Sequence, residues 1–184
     1  PGISAVLVLL GVEGKLPTLA HHNLLMSRDW DADFAAVFDN PGSMQASRSI
    51  YVSKPSASDQ TVAPEGCENL FIFIPVASNT SIGHGNAYRQ EESPIVRTIA
   101  SAAVRQIAEW ANIPNLVDRV IIRRTIGPQD FEERYYSWQG GALGPSHTLT
   151  QSAFFRGKNI SRRVIGLLYV GGTIAPGVGV PMCL

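Results

Sequence analysis

The chain has 184 residues, 45% of them hydrophobic, and its 15 lysines and arginines balance 15 aspartates and glutamates. That size suits one domain, or a large part of one, with a substantial core, and zero formal charge without a basic run excludes the nucleic-acid-binding classes. Cys67 and Cys183 lie far apart and match no metal-ligand spacing, which fits a reducing compartment, the cytoplasm by default, better than a disulfide scaffold.

Residues 3–12 predict a buried strand, continuously apolar rather than alternating, closed by Gly11 and Gly14. The run lacks the basic leader and cleavage site of a signal peptide and is too short to span a bilayer. Residues 21–26 predict a short strand, on which adjacent His21 and His22 would point to opposite faces and could not share a metal. Helical spacing of Ala32, Ala35, Ala36 and Val37, with Phe34 and Phe38, predicts a helix over 31–38, ended by Asn40-Pro41-Gly42. Residues 49–53 and 70–77 are strong strand candidates joined by a polar connection, 55–69, that contains the turn Pro64-Glu65-Gly66.

Gly83-His84-Gly85 lacks the third glycine of a dinucleotide fingerprint, Tyr88 standing in its place, and predicts a loop. The clearest helix is 93–111, with Ser93 as N-cap, Pro94 at the first helical position and apolar residues every three or four along one face. Asn112-Ile113-Pro114 stops it. Val120-Ile121-Ile122 resumes as a strand, and the flanking Arg119, Arg123 and Arg124 are either a phosphate patch or solvated strand-end charges. A short helix starts at Gly127-Pro128 and runs through Phe131 and Tyr135. Strands and helices in this irregular order predict an α+β (mixed α/β) domain, a mixed β-sheet flanked by helices. No G-x-S-x-G elbow occurs, so hydrolase chemistry has no support.

Two glycine-rich segments follow. Gly140-Gly141-Ala142-Leu143-Gly144-Pro145, then His147, is either a structural turn or a bare-backbone cavity wall. Residues 164–170 are an apolar strand candidate that runs into Gly171, Gly172, Thr173, Pro176, Gly177, Val178, Gly179, Val180 and Pro181. Backbone without Cβ atoms can approach a phosphate or a flat ring closely, in dihedrals that other residues resist, and prolines stiffen such a loop. A plain turn between two elements is the competing reading. The first residues, Pro1-Gly2, and the last, Met182-Cys183-Leu184 directly after the loop, lead us to expect a fragment of a longer protein.

The segments 140–149, Gln151, Phe154-Phe155-Arg156, Asn159, 166–172 and 176–182 together resemble the back portion of bacterial phytoene desaturases. Leu9-Leu10-Gly11-Val12 with His22-Asn23, Ser49-Ile50-Tyr51-Val52, Ala63-Pro64-Glu65-Gly66 with Glu68-Asn69-Leu70, and Arg124-Thr125-Ile126-Gly127-Pro128 with Asp130-Phe131 match the same family in the same order. The resemblance covers nearly the whole chain. It implies an FAD-dependent carotenoid desaturase of the flavin amine oxidase-like superfamily, an oxidoreductase that dehydrogenates a long apolar polyene of the phytoene type toward lycopene or a related product.

It also implies a partial substrate-binding domain over 1–160 and, over 161–184, the returning strand and glycine loop of a split FAD-binding domain. The loop residues from Gly171 to Pro181 named above would be flavin neighbours, and the rest of the chain would be needed to complete the flavin site. No metal is implied, and no acid or base is assigned. Ile174 departs from the threonine common two places before the loop proline, the hydroxyl standing instead at Thr173, and Gly157 replaces the proline common after the phenylalanine-arginine pair. A lipid-dissolved substrate implies peripheral contact with the inner face of the cell membrane. The alternatives are a non-catalytic apolar-ligand or assembly module on the same domain, or a related flavoenzyme such as a carotenoid ketolase, isomerase or amine oxidase.

Overall fold

The computed structural model describes residues 2–40, 42, 44–152 and 155–179. Strand β1, Ser4–Glu13, forms first along the chain, followed by β2, His22–Leu25, and a short helix α1, Trp30–Phe34, capped by the Asp29 side chain accepting from the Ala32 amide. A π-helical turn over Ala35–Asp39 completes the expected 31–38 helix, and the chain leaves it at Asn40. Strands β3, Ile50–Ser53, and β4, Cys67–Val76, come next, then helix α2, Pro94–Trp110, strand β5, Val120–Ile126, and helix α3, Pro128–Tyr135. The strands form one five-stranded sheet in the order β2-β3-β4-β1-β5, every pairing antiparallel. The α+β class stands.

The two ten-residue strands β1 and β4 are central, paired from Ser4 opposite Val76 to Glu13 opposite Cys67. Ile72, Ile74, Val6, Val8, Leu10 and Val12 on one face join Val96, Ala100, Val104 and Ile107 of α2 in the core. Each fully buried aliphatic side chain contributes about 1.5–3 kcal/mol. The α2 periodicity supplies this contact directly.

Burial along β1 corrects one expectation. From Val6 onward buried residues alternate with half-buried Leu7, Leu9 and Gly11, because α2 covers one face only. Strand β4 begins at Cys67, earlier than its apolar run, since buried Glu68 is held by the Ser56 hydroxyl and by Lys15 at 3.7 Å. Ser93 occupies the N-cap of α2 without a side-chain cap bond, its hydroxyl instead accepting the His84 amide at 3.0 Å.

The two histidines also differ from expectation. The strand starts at His22, so His21 lies outside it, and the two rings meet at 4.3 Å rather than facing apart. His21 pairs with Ser58 and His22 with Tyr51, and no metal-holding cluster of three occurs among the described residues. Residues 164–170 form no strand. They make only an isolated bridge between Ile160 and Leu168 and stay exposed, because no sheet edge lies alongside to accept their backbone groups. Among the described residues no helix is long and apolar enough to cross a membrane.

Candidate functional site

The second glycine segment continues from α3. Tyr136 and Gln139 take left-handed dihedrals and Gly140 follows at φ 70°, its α-carbon pressed so close that a Cβ would lie 2.2 Å from the Pro128 carbonyl oxygen. The turn is then pinned to the start of β1: the Ser4 hydroxyl donates to the Gly140 carbonyl, the Ala142 amide to Ile3 at 3.0 Å, and the Gly2 amide to Gly144 at 3.1 Å. This fixes bare backbone at one end of the sheet.

The carboxyl-terminal glycine loop packs against that turn. A Cβ on Gly144 would stand 3.1 Å from the Gly172 carbonyl oxygen and 3.6 Å from Thr173. Residues 155–160 form the loop's support: Ala175 donates to Gly157 at 2.9 Å, the Asn159 side chain to Ala175 at 3.0 Å, and Arg156 Nη2 to the Gly172 carbonyl at 3.0 Å. The structure therefore brings the two segments together.

Between them opens a cleft of about 520 Å³, within the size range of small-molecule sites. Tyr135, Tyr136, Trp138 and Phe155 supply aromatic walls, Gly141 and Gly144 bare backbone, and Arg156 the single charge among the described lining residues. At its rim the Tyr88 ring lies 3.9 Å beneath the Arg134 guanidinium. The Tyr88 hydroxyl is pushed above its usual range by its hydrogen bond with Tyr135 and then by burial. Both contacts hold the aromatic wall.

The sequence-assigned loop residues are distributed as follows. Thr173 lines the cleft; Gly171 and Gly172 are half-buried beside it, Gly172 packing on Val178. Gly177 is buried with φ 144°, Gly171 has φ 123° and Gly179 φ 127°, values that exclude most side chains. Pro176 is exposed after a cis bond, and Val180 and Pro181 lie outside the described residues. Among the described residues the amides of Gly171, Gly172 and Thr173 find no acceptor. Unengaged donors, left-handed glycines and a buried guanidinium beside aromatic walls suit a flat ligand bearing an anionic group.

Arg156 and the aromatic walls were missing from the sequence-assigned site. The sequence signals were Phe155-Arg156, which stand in a segment of the family resemblance, and the cluster Tyr135, Tyr136 and Trp138 after a short helix. Two of the three strand-end arginines are structural, Arg119 holding the Glu13 and Lys15 carbonyls at 2.8 and 2.9 Å and Arg123 pairing with Glu92 at 2.7 Å, while Arg124 is exposed.

The sheet face opposite α2 carries a second apolar feature. Leu24, Tyr51, Phe73, Leu7 and Ile126 stand directly across from one another on β2, β3, β4, β1 and β5, an unbroken apolar row. Four strand spacings make it about 19 Å long. Phe71 and Leu9 lie beside it, so β4 gives its isoleucines to the core and its phenylalanines to this face.

The chain matches no family model. It is 39% identical over 181 residues to the carotenoid 3,4-desaturase of Haloarcula japonica, 29% to the 1-hydroxycarotenoid 3,4-desaturase of a Flavobacterium species, and 27% to the 4,4'-diapophytoene desaturase (4,4'-diaponeurosporene-forming) of Staphylococcus aureus. Each alignment covers 98% of this chain, which spans about a third of the length of these curated relatives, 34% and 35%. Over nearly its whole length the chain is thus similar to about a third of the length of these carotenoid desaturases.

Proposed function

We propose that this chain serves an FAD-dependent carotenoid desaturase acting on a phytoene-type polyene toward lycopene or a related product. The alignment of nearly the whole chain with relatives named for carotenoid desaturation carries this reading. In it, residues 1–160 are the substrate-binding part and residues 161–184 the carboxyl part of a flavin-binding one, with Gly171 to Gly179 along the cofactor. The remainder of a chain of the relatives' length completes the flavin site. When bound, FAD supplies the two-electron acceptor needed to dehydrogenate a C–H bond that has no ionisable handle.

The residues of this chain bind and orient. The apolar row from Leu24 to Ile126, about 19 Å long, offers an extended polyene an apolar surface, with exposed Arg124 next to Leu9 at its border. The unengaged amides of Gly171 to Thr173 and the cleft beside them receive the cofactor. Peripheral membrane contact is assigned to α1 and the π-helical turn after it, where Trp30, Phe34 and Phe38 stack in series at 6.4 and 5.9 Å with about half of each side chain exposed. Such a stack can enter the interface and shorten the path of a lipid-dissolved substrate.

The test is conversion. Full-length protein mixed with a colourless phytoene-type polyene in vesicles should shift the polyene absorption to longer wavelength as conjugation grows. An unchanged polyene in the presence of bound flavin and an oxidant would remove the desaturase reading.

A further inference from the structure

We infer that the Arg156 guanidinium is an oxyanion receptor at the floor of the cleft, the point at which a phosphate-bearing ligand is held against the 171–179 loop. The inference deepens the cofactor reading above and rests on it only for what carries the phosphate.

Arg156 is 6% exposed, yet no carboxylate among the described residues pairs with it. Its Nη2 donates to the Gly172 carbonyl at 3.0 Å, and its Nη1 lies 3.1 Å from where a Cβ on Gly177 would be, so that glycine lets the guanidinium reach the loop. Its Nε is buried without an acceptor. Arg123 has an orphaned Nε as well, but the Glu92 carboxylate neutralises its charge at 2.7 Å. Nothing described does this for Arg156.

A buried charge without a counter-charge is strongly unfavourable, and a partner from outside the chain removes that cost. The planar fork of an arginine fits phosphate, donating two parallel bonds to its oxygens in fixed geometry. The surroundings add neutral donors and no repulsion: the amides of Gly171 to Thr173, the Thr173 hydroxyl and the Gln151 amide group. Aromatic walls beside the guanidinium leave room for a ring on the same ligand.

Trp138 lines the cleft and reports on it by fluorescence. Inorganic pyrophosphate, ADP and FAD are titrated into the protein and its Arg156→Lys, Arg156→Gln and Trp138→Phe variants, with far-ultraviolet circular dichroism as a folding control. The expected result is a tryptophan response to pyrophosphate in the wild type, at least tenfold weaker affinity in R156Q, an intermediate value in R156K, and loss of the fluorescence response in W138F. FAD binding more tightly than pyrophosphate, with the same Arg156 dependence, identifies a dinucleotide as the source; equal affinities identify a free phosphate.

Wild-type protein that ignores pyrophosphate, or R156Q that binds it as the wild type does, overturns the inference. If R156Q does not fold, R156K and the pyrophosphate-induced rise in wild-type melting temperature decide in its place, an unchanged pair being the contrary result. FAD held equally well with and without Arg156 leaves the cofactor reading intact and removes this one. Arg156-dependent pyrophosphate binding in a full-length protein that takes no flavin does the reverse.

Discussion

Gly85 has the least room of any residue around the α3 end of the sheet. A Cβ there would stand 1.9 Å from the Thr125 carbonyl oxygen, while the Gly85 amide donates to the buried Asp130 carboxylate at 2.7 Å. Backbone contact on that side cannot yield as a flexible side chain would. Gly85→Ala should therefore destabilise the protein by about 3 kcal/mol, the upper end of ordinary overpacking, read from urea unfolding. The sequence marked this glycine as a loop without a fingerprint; which carbonyl faces it depends on a strand forty residues away.

Asp33 gives a pH signature. Burial raises its carboxyl, but bonds from the Ser49 hydroxyl, the Arg48 amide, and the Ser27 and Ser47 hydroxyls outweigh burial and hold it below its ordinary value of 3.8. A carboxyl lowered on folding stabilises the fold above its unfolded value and loses that contribution as pH falls through the folded one. Wild-type melting temperature should drop as pH is lowered below about 4, and Asp33→Asn should flatten that limb while lowering stability at neutral pH. Equal acid limbs in both proteins would contradict the assignment. Arg156 was quoted in the family motif yet escaped the site assignment, because lack of a counter-charge is a property of spatial neighbours.

At the scale of the element, β4 divides its residues between two jobs. Ile72 is fully buried against α2, and Phe73 is half-buried on the opposite face. Ile72→Ala should cost about 2–5 kcal/mol of stability. Phe73→Ala should cost less, yet weaken polyene binding several-fold, measured by quenching in the full-length protein. Equal effects on stability with no effect on binding would remove the apolar row from substrate contact. For α1, replacing Trp30 and Phe34 by serine should release the protein from vesicles in a sedimentation assay, and unchanged sedimentation would contradict the membrane assignment.

Elements with a strong period were legible. The 3.6-residue repeat of 93–111 and the apolar runs at 3–12, 49–53 and 70–77 gave α2, β1, β3 and β4 within a few residues. The limits of β4 were hidden because Glu68 is buried by a specific bond, which periodicity does not register. Residues 164–170 have strand composition, but a strand exists only beside another, and pairing is not encoded in one segment. The same gap hid the one-sided burial of β1.

At the scale of the whole molecule, the α+β class followed from the order of elements, whereas the strand order β2-β3-β4-β1-β5 did not, since every long-range pairing in it is antiparallel and could be permuted. The site was half legible. Two glycine segments signalled bare backbone, and the structure sets them in contact through Gly144 and Gly172. Their aromatic enclosure arises only when the end of α3 is folded beside residues 155–157. In the proposed desaturase, the apolar row on one side of the sheet and the polar-donor cleft at one end would keep polyene and cofactor apart. The most direct measurement is the flavin content of the purified full-length protein, by absorption before and after denaturation. The account predicts about one FAD per chain, and protein that is folded, supplied with FAD and still colourless would contradict it.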